Sequence, residues 1–63
     1  MDYKKLRLLR MGKGWTQGEM ADRVGIARSY YNSIERGKML AGMGTLLKIA
    51  EVLGIKLKSL LKK

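Results

Sequence analysis

Leu46, Ile49, Ala50 and Leu53 fall on one face of a helix, with Lys48 and Glu51 facing away. The same 3.6-residue period runs through most of the chain. No alternating run of β-branched residues interrupts it, and no hairpin dipeptide. Eight glycines and no proline punctuate the pattern. It predicts an all-α chain of five helices. The first runs from about Tyr3 to Met11, with Asp2 as N-cap and Gly12 to Gly14 ending it. Leu6 and Leu9 face inward with Arg10 on the same side, while Leu8 and Met11 point elsewhere. The second has the best start signal. Thr16 and Glu19 make a capping box, and Trp15 can staple onto Met20. It runs to Val24, and Gly25 ends it. The third spans about Arg28 to Arg36 and closes at Gly37. After the loop KMLAGMG, the fourth spans about Thr45 to Leu53 and ends at Gly54. A short fifth helix, in IKLKSLLKK, puts Leu57, Leu60 and Leu61 on one side. Lys62 and Lys63 suit its C-terminal dipole.

The second and third helices form a unit. Only Gly25, Ile26 and Ala27 join them, so they must cross steeply, and Ala21 is small enough for a close approach. Gly25 supplies the left-handed conformation the turn needs. Met20, Val24, Ile26, Tyr31 and Ile34 then bury the seam. This is a helix-turn-helix pattern over about residues 16–36. Tyr31 fits it least well, since a β-branched residue is more usual at so crowded a place. The opposite face of the third helix carries Ser29, Asn32, Ser33 and Arg36, with Arg28 at its leading edge.

Charge adds a partner to this picture. The 63 residues carry a formal net charge of +9. Residues 1–31 hold seven basic and three acidic side chains, and residues 32–63 hold seven and two. The excess is thus spread along a single small domain, 1–63, and exceeds the roughly 2 to 8 that suffices for solubility, which stays its blander reading. Such a body attracts polyanions, nucleic acid first and anionic membrane second. Arg28 can give two hydrogen bonds to guanine O6 and N7, and Asn32 can read adenine, although its direction also suits the DNA backbone. Ser29 and Ser33 are short and discriminate little. The helix starts at Gln17 and Arg28 can present N–H groups to phosphate. Blander roles stay open: Arg28 as a solvated charge, Tyr30 as a half-packed flank instead of a base stacker, Lys38 as plain surface.

The residues TQGEMADRVGIARSYYNSIERGK followed by TLLKIAEVLGI resemble the Cro and phage-repressor type of helix-turn-helix DNA-binding domain, the XRE family. The resemblance runs from residue 6 to residue 59. It implies a compact five-helix fold and a transcriptional regulator, a bacterial or phage repressor, that binds double-stranded DNA as a homodimer. It places Gln17 at a phosphate or the outermost base, and Arg28, Ser29 and Ser33 at the main base-reading positions. Thr16, Arg36 and Lys38 fall near the DNA backbone. Arg10 and Glu35 fall where some members pair the first helix with the third. Such a pair is an ordinary ion pair or a means of aiming Arg10 at a phosphate. The chain departs from the family at Ala41, where Pro is frequent, and at Gly42 and Gly44, where Ser and Glu are. The fourth helix is therefore expected to start poorly capped. Ala27 replaces a Ser or Thr cap, a loss of about 1 kcal/mol. Met39 and Leu40 either meet a partner or fold back on the core. Leu57 and Leu61 exceed what the core can use and are the expected dimer contacts.

Composition excludes other classes. With no Cys and no His, disulfides, thiol chemistry and the usual zinc sites are ruled out. GMGTLLK lacks phosphate-loop spacing, and the acids are scattered over different helices, so no enzyme, cofactor or small-molecule ligand is expected. No apolar run approaches a membrane span and no signal-peptide pattern opens the chain, which makes a cytoplasmic protein the simplest reading. Two alternatives remain: an antitoxin-like protein-interaction module, and a membrane-surface protein using the basic amphipathic IKLKSLLKK.

Overall fold

Among the described residues five helices form, all but the start of α4 close to where caps and period place them: α1 (Tyr3–Gly12), α2 (Gln17–Val24), α3 (Arg28–Glu35), α4 (Met43–Leu53) and α5 (Leu57–Leu60). They are seen in a computed structural model that describes residues 2–61. Lys62 and Lys63, expected to suit the dipole of the last helix, lie outside the described residues. Among the described residues there is no strand, and no helix is long and apolar enough to cross a membrane.

The start signals act as expected. Asp2 accepts a hydrogen bond from the Lys5 amide at 3.0 Å. Both halves of the α2 capping box are made: the Glu19 amide donates to Thr16 Oγ1 at 3.1 Å, and the Thr16 amide donates to Glu19 Oε1 at 2.8 Å. Trp15 packs against the core, and the Arg23 guanidinium lies 4.2 Å from its ring centroid, a cation–π contact. Helix α4 begins two residues before its expected start. Gly42 is its cap, without a side chain to bond, and the Leu46 amide donates to the Gly42 carbonyl at 2.9 Å. The low helix propensity of glycine gives way here to packing, since Ala41, just ahead of this turn, rests on the core.

The core draws on every helix: Leu6 from α1, Met20, Ala21 and Val24 from α2, Tyr31 and Ile34 from α3, Ile49, Ala50 and Leu53 from α4, and Leu60 from α5. The turn between α2 and α3 closes at Gly25, whose φ is +85°. The amides of Gly25 and Ile26 both donate to the Ala21 carbonyl, at 2.8 and 3.0 Å. Ala21, almost wholly buried, lets the two helices approach. The cap of α1 is tied to the end of α5 as well, through the Asp2 amide donating to the Leu60 carbonyl at 2.8 Å. Leu57 is half-buried against the core, whereas Leu61 is exposed. Met39 and Leu40 do not fold back; both are exposed.

Candidate nucleic-acid interface

Two features fix how α3 is presented: how it is anchored from behind, and what it leaves outside. The anchor is Glu35, the one acid on the helix, which is buried at its last turn. Its carboxylate accepts four hydrogen bonds. Arg10 Nε donates to Oε2 at 2.8 Å and Arg10 Nη2 to Oε1 at 3.0 Å. The Tyr31 hydroxyl donates to Oε2 at 2.6 Å and Gln17 Nε2 to Oε1 at 3.1 Å. Arg7 stands 3.7 Å away at the edge. Burial alone would raise the Glu35 pKa, but hydrogen bonds from Arg10, Tyr31 and Gln17 outweigh it and hold the carboxyl below its ordinary range. Burial, and next the bond to Glu35, push the Tyr31 phenol far above its ordinary value. The bond to Glu35 raises Arg10 in turn. A buried carboxylate so fully partnered ties α1, α2 and α3 into one geometry.

Arg10 lies in the interior, paired with Glu35 as the ion-pair expectation has it. Nε and Nη2 serve Glu35, and Nη1 donates to the Trp15 carbonyl at 2.7 Å. These bonds use three of the five N–H groups of the guanidinium and fix the direction of the others. The network also accounts for Tyr31. Its ring fills the crowded seam, and its hydroxyl finds the carboxylate one turn along the same helix. The four-residue spacing of Tyr31 and Glu35 was the signal that could have revealed it.

The outward side of α3 carries no exposed acid. Arg28 and Ser29 are exposed at its start, Asn32 and Ser33 half-buried along it, and Arg36 and Lys38 exposed beyond its end. Gln17 opens α2 half-buried, with Thr16 exposed beside it. Among the described residues Arg28, Arg36 and Lys38 make no ion pair. Asn32 differs from the base-reading expectation in one respect. Its Oδ1 is shut off from solvent and meets no donor, so a two-bond contact with adenine requires the side chain to turn. Tyr30 packs against the core as a flank. Sequence reasoning missed the surroundings of Arg28. Its Cδ, Nε and Cζ lie 3.7, 3.7 and 3.9 Å from where a Cβ would stand on Gly18, so the side chain rests across the first turn of α2. Among the described residues no group of three His, Cys, Asp or Glu side chains could hold a metal ion.

Comparison with known proteins agrees with this layout. A family model described as helix-turn-helix matches residues 6–60. The chain is 39% identical over 59 residues to an SPbeta prophage-derived uncharacterized HTH-type transcriptional regulator of Bacillus subtilis, covering 94% of this chain and 55% of that one. It is 36% identical over 50 residues to a hypothetical transcription factor of Neisseria meningitidis, covering 79% and 47%. An uncharacterized HTH-type transcriptional regulator of Sinorhizobium fredii is 38% identical over 60 residues, covering 87% and 78%. The chain thus spans about half the length of the first two relatives. No solved structure matches it significantly.

Proposed function

The chain belongs to the Cro and phage-repressor type of helix-turn-helix family, and from that premise we propose that it is a sequence-specific DNA-binding transcriptional regulator, a repressor that inserts α3 into the major groove. The observation that carries this reading is the charge of that helix. Its single acid is buried in a satisfied network, and its outer side and flanks keep only Arg28, Arg36 and Lys38 as charges. A face with cations at both ends and short polar groups between them suits a groove walled by phosphates. Arg28 reads guanine, Ser29 and Ser33 add close contacts, and Asn32 contributes after turning outward. Gln17 lies at the outermost base or its phosphate. Thr16, Arg36 and Lys38 bind the backbone and fix register. Two copies meet around Leu61, with Leu57 behind it, on a two-fold site. The protein works in the cytoplasm, where the DNA is.

The test is titration of a duplex selected from a random pool against its scrambled counterpart, each at two salt concentrations. We expect tighter binding to the selected duplex and affinity that falls steeply with salt. Arg36→Ala should weaken both duplexes alike and reduce the salt slope by about 1. Equal affinity for the two duplexes removes sequence specificity from the reading, and indifference to salt removes DNA. A protein-binding role beside DNA binding, antitoxin-like, is favoured by one observation: Leu40, Met43 and Leu47 stand exposed around the start and outer face of α4.

A further inference from the structure

Glycine at position 18 has no structural reason to be there. It is the second residue of α2, where glycine weakens the helix relative to alanine. Its φ is not positive, so the backbone does not require it. No backbone or core atom crowds it: the three nearest atoms to an added Cβ all belong to Arg28, at 3.7, 3.7 and 3.9 Å. A Cβ there would make ordinary contact with the Arg28 side chain, so a longer side chain at this position meets Arg28 first. Arg28 is itself oddly placed. It is the first residue of α3, where the helix dipole opposes a cation, and no acid stands in that first turn. Among the described residues it makes no ion pair.

We propose that Gly18 is a specificity-determining position: the seat it leaves on α2 fixes where the Arg28 guanidinium stands, and so which base edge Arg28 reads. The proposal rests on the DNA-reading function above and deepens it. An unrestrained arginine loses the freedom of several rotatable bonds on binding, and its fork can reach several neighbouring acceptors. Laid across α2, its stem is already ordered, and the fork arrives at one place relative to both helices. Gly18 touches no base. It acts through Arg28, as a positioning residue.

The test is selection of bound sequences from a random duplex pool by the wild type, Arg28→Ala, Gly18→Ala, Gly18→Leu and Gly18→Glu. Thermal unfolding of each variant accompanies it. The wild type should prefer guanine at one half-site position by roughly ten-fold or more, and Arg28→Ala should flatten that position. Gly18→Ala should keep the preference, because a Cβ at 3.7 Å makes ordinary contact. Gly18→Leu fills the seat and should lose the preference at that position while the others stand. Gly18→Glu should lose it too, and an acid in the first turn favours the helix, which keeps a folded variant in hand. Added to Arg28→Ala, Gly18→Leu should change nothing further at that position. If both bulky variants select guanine as the wild type does, the role of Gly18 is overturned and the DNA reading stands. The same holds if their profiles weaken evenly at every position, or if Arg28→Ala leaves the profile intact. A wild type that selects no base removes sequence specificity from the proposed function, and the role of Gly18 with it.

Discussion

Tyr31 shows how much one hydroxyl can settle. A β-branched side chain would fill the seam, but only a phenol both fills it and gives Glu35 a donor at 2.6 Å. Tyr31→Phe keeps the ring and removes the bond, so it should destabilise the fold by about 1.5–3 kcal/mol, the range for a hydrogen bond to a charged group. Denaturant unfolding checks the size, and its pH dependence checks the origin. Glu35 has a folded pKa below its ordinary 4.5, so its contribution is whole above that value and is lost as pH falls through the folded value. Tyr31 has a folded pKa above its ordinary 10.0, so its contribution is whole below that value and is lost as pH rises further. With no His in the chain, stability from this network should be flat between these limits. Tyr31→Phe should abolish the alkaline loss due to this group and keep the acid one. An unchanged alkaline limb would assign that loss to other groups. Of this network, the Arg10–Glu35 pairing could be read from the sequence, because it follows from a family pattern. The donor Tyr31 was within reach of such a reading, since it stands four residues before Glu35 on the same helix; Gln17 was not, because it reaches Glu35 only after α2 and α3 have crossed.

Helix ends were legible wherever the signal lies within one turn of chain. Asp2, the Thr16–Glu19 box and the glycines at 25, 37 and 54 all act where their residue types placed them. Gly37 is favoured by its φ of +75°, and the Tyr3 ring, 3.0 Å from where a Cβ would stand, would have to shift by a few tenths of an ångström to admit one. The start of α4 was misplaced because it depends on packing, which a local reading of glycine cannot weigh. The Arg28 seat escaped for the same reason: it exists only between two helices. The missing caps offer a test at this scale. Ala27 caps α3 with φ −65° and ψ +144°, the extended geometry that serine adopts, yet makes no side-chain bond. Ala27→Ser should supply an acceptor for a free amide in the first turn and stabilise by about 1 kcal/mol. In a domain of this size that is a rise of roughly 4–8 °C in Tm, read by thermal unfolding. Gly42→Ser at α4 should add only about a few tenths of a kcal/mol, since glycine is already a tolerable cap. Equal gains at both sites would mean that the α3 amides are satisfied in another way.

The dimensions of the whole molecule decide how it can occupy a two-fold site. It measures 27 × 23 × 19 Å along its principal axes. Two half-sites on one side of a duplex lie about 34–36 Å apart, so one copy cannot read both, and two copies seated on them meet only at their edges. A stable dimer interface takes about 800 Å² from each partner, close to a fifth of the 4134 Å² surface of this chain. The end of α5 offers much less, since Leu57 is already half-spent on the core and Leu61 alone stands well out. Pairing through this edge should therefore be weak without DNA and strong on it, where the second copy is held close by its own half-site. Sedimentation should find a monomer at micromolar concentration and two copies on a selected palindromic duplex. Leu61→Lys, an exposed position, should leave the fold and single half-site binding intact and reduce cooperative binding to the full site. Leu40→Lys, on the exposed apolar surface around the start of α4, should leave that cooperativity unchanged. If Leu40→Lys removes the cooperativity and Leu61→Lys spares it, the two copies meet through the start of α4, and the end of α5 is not the dimer contact.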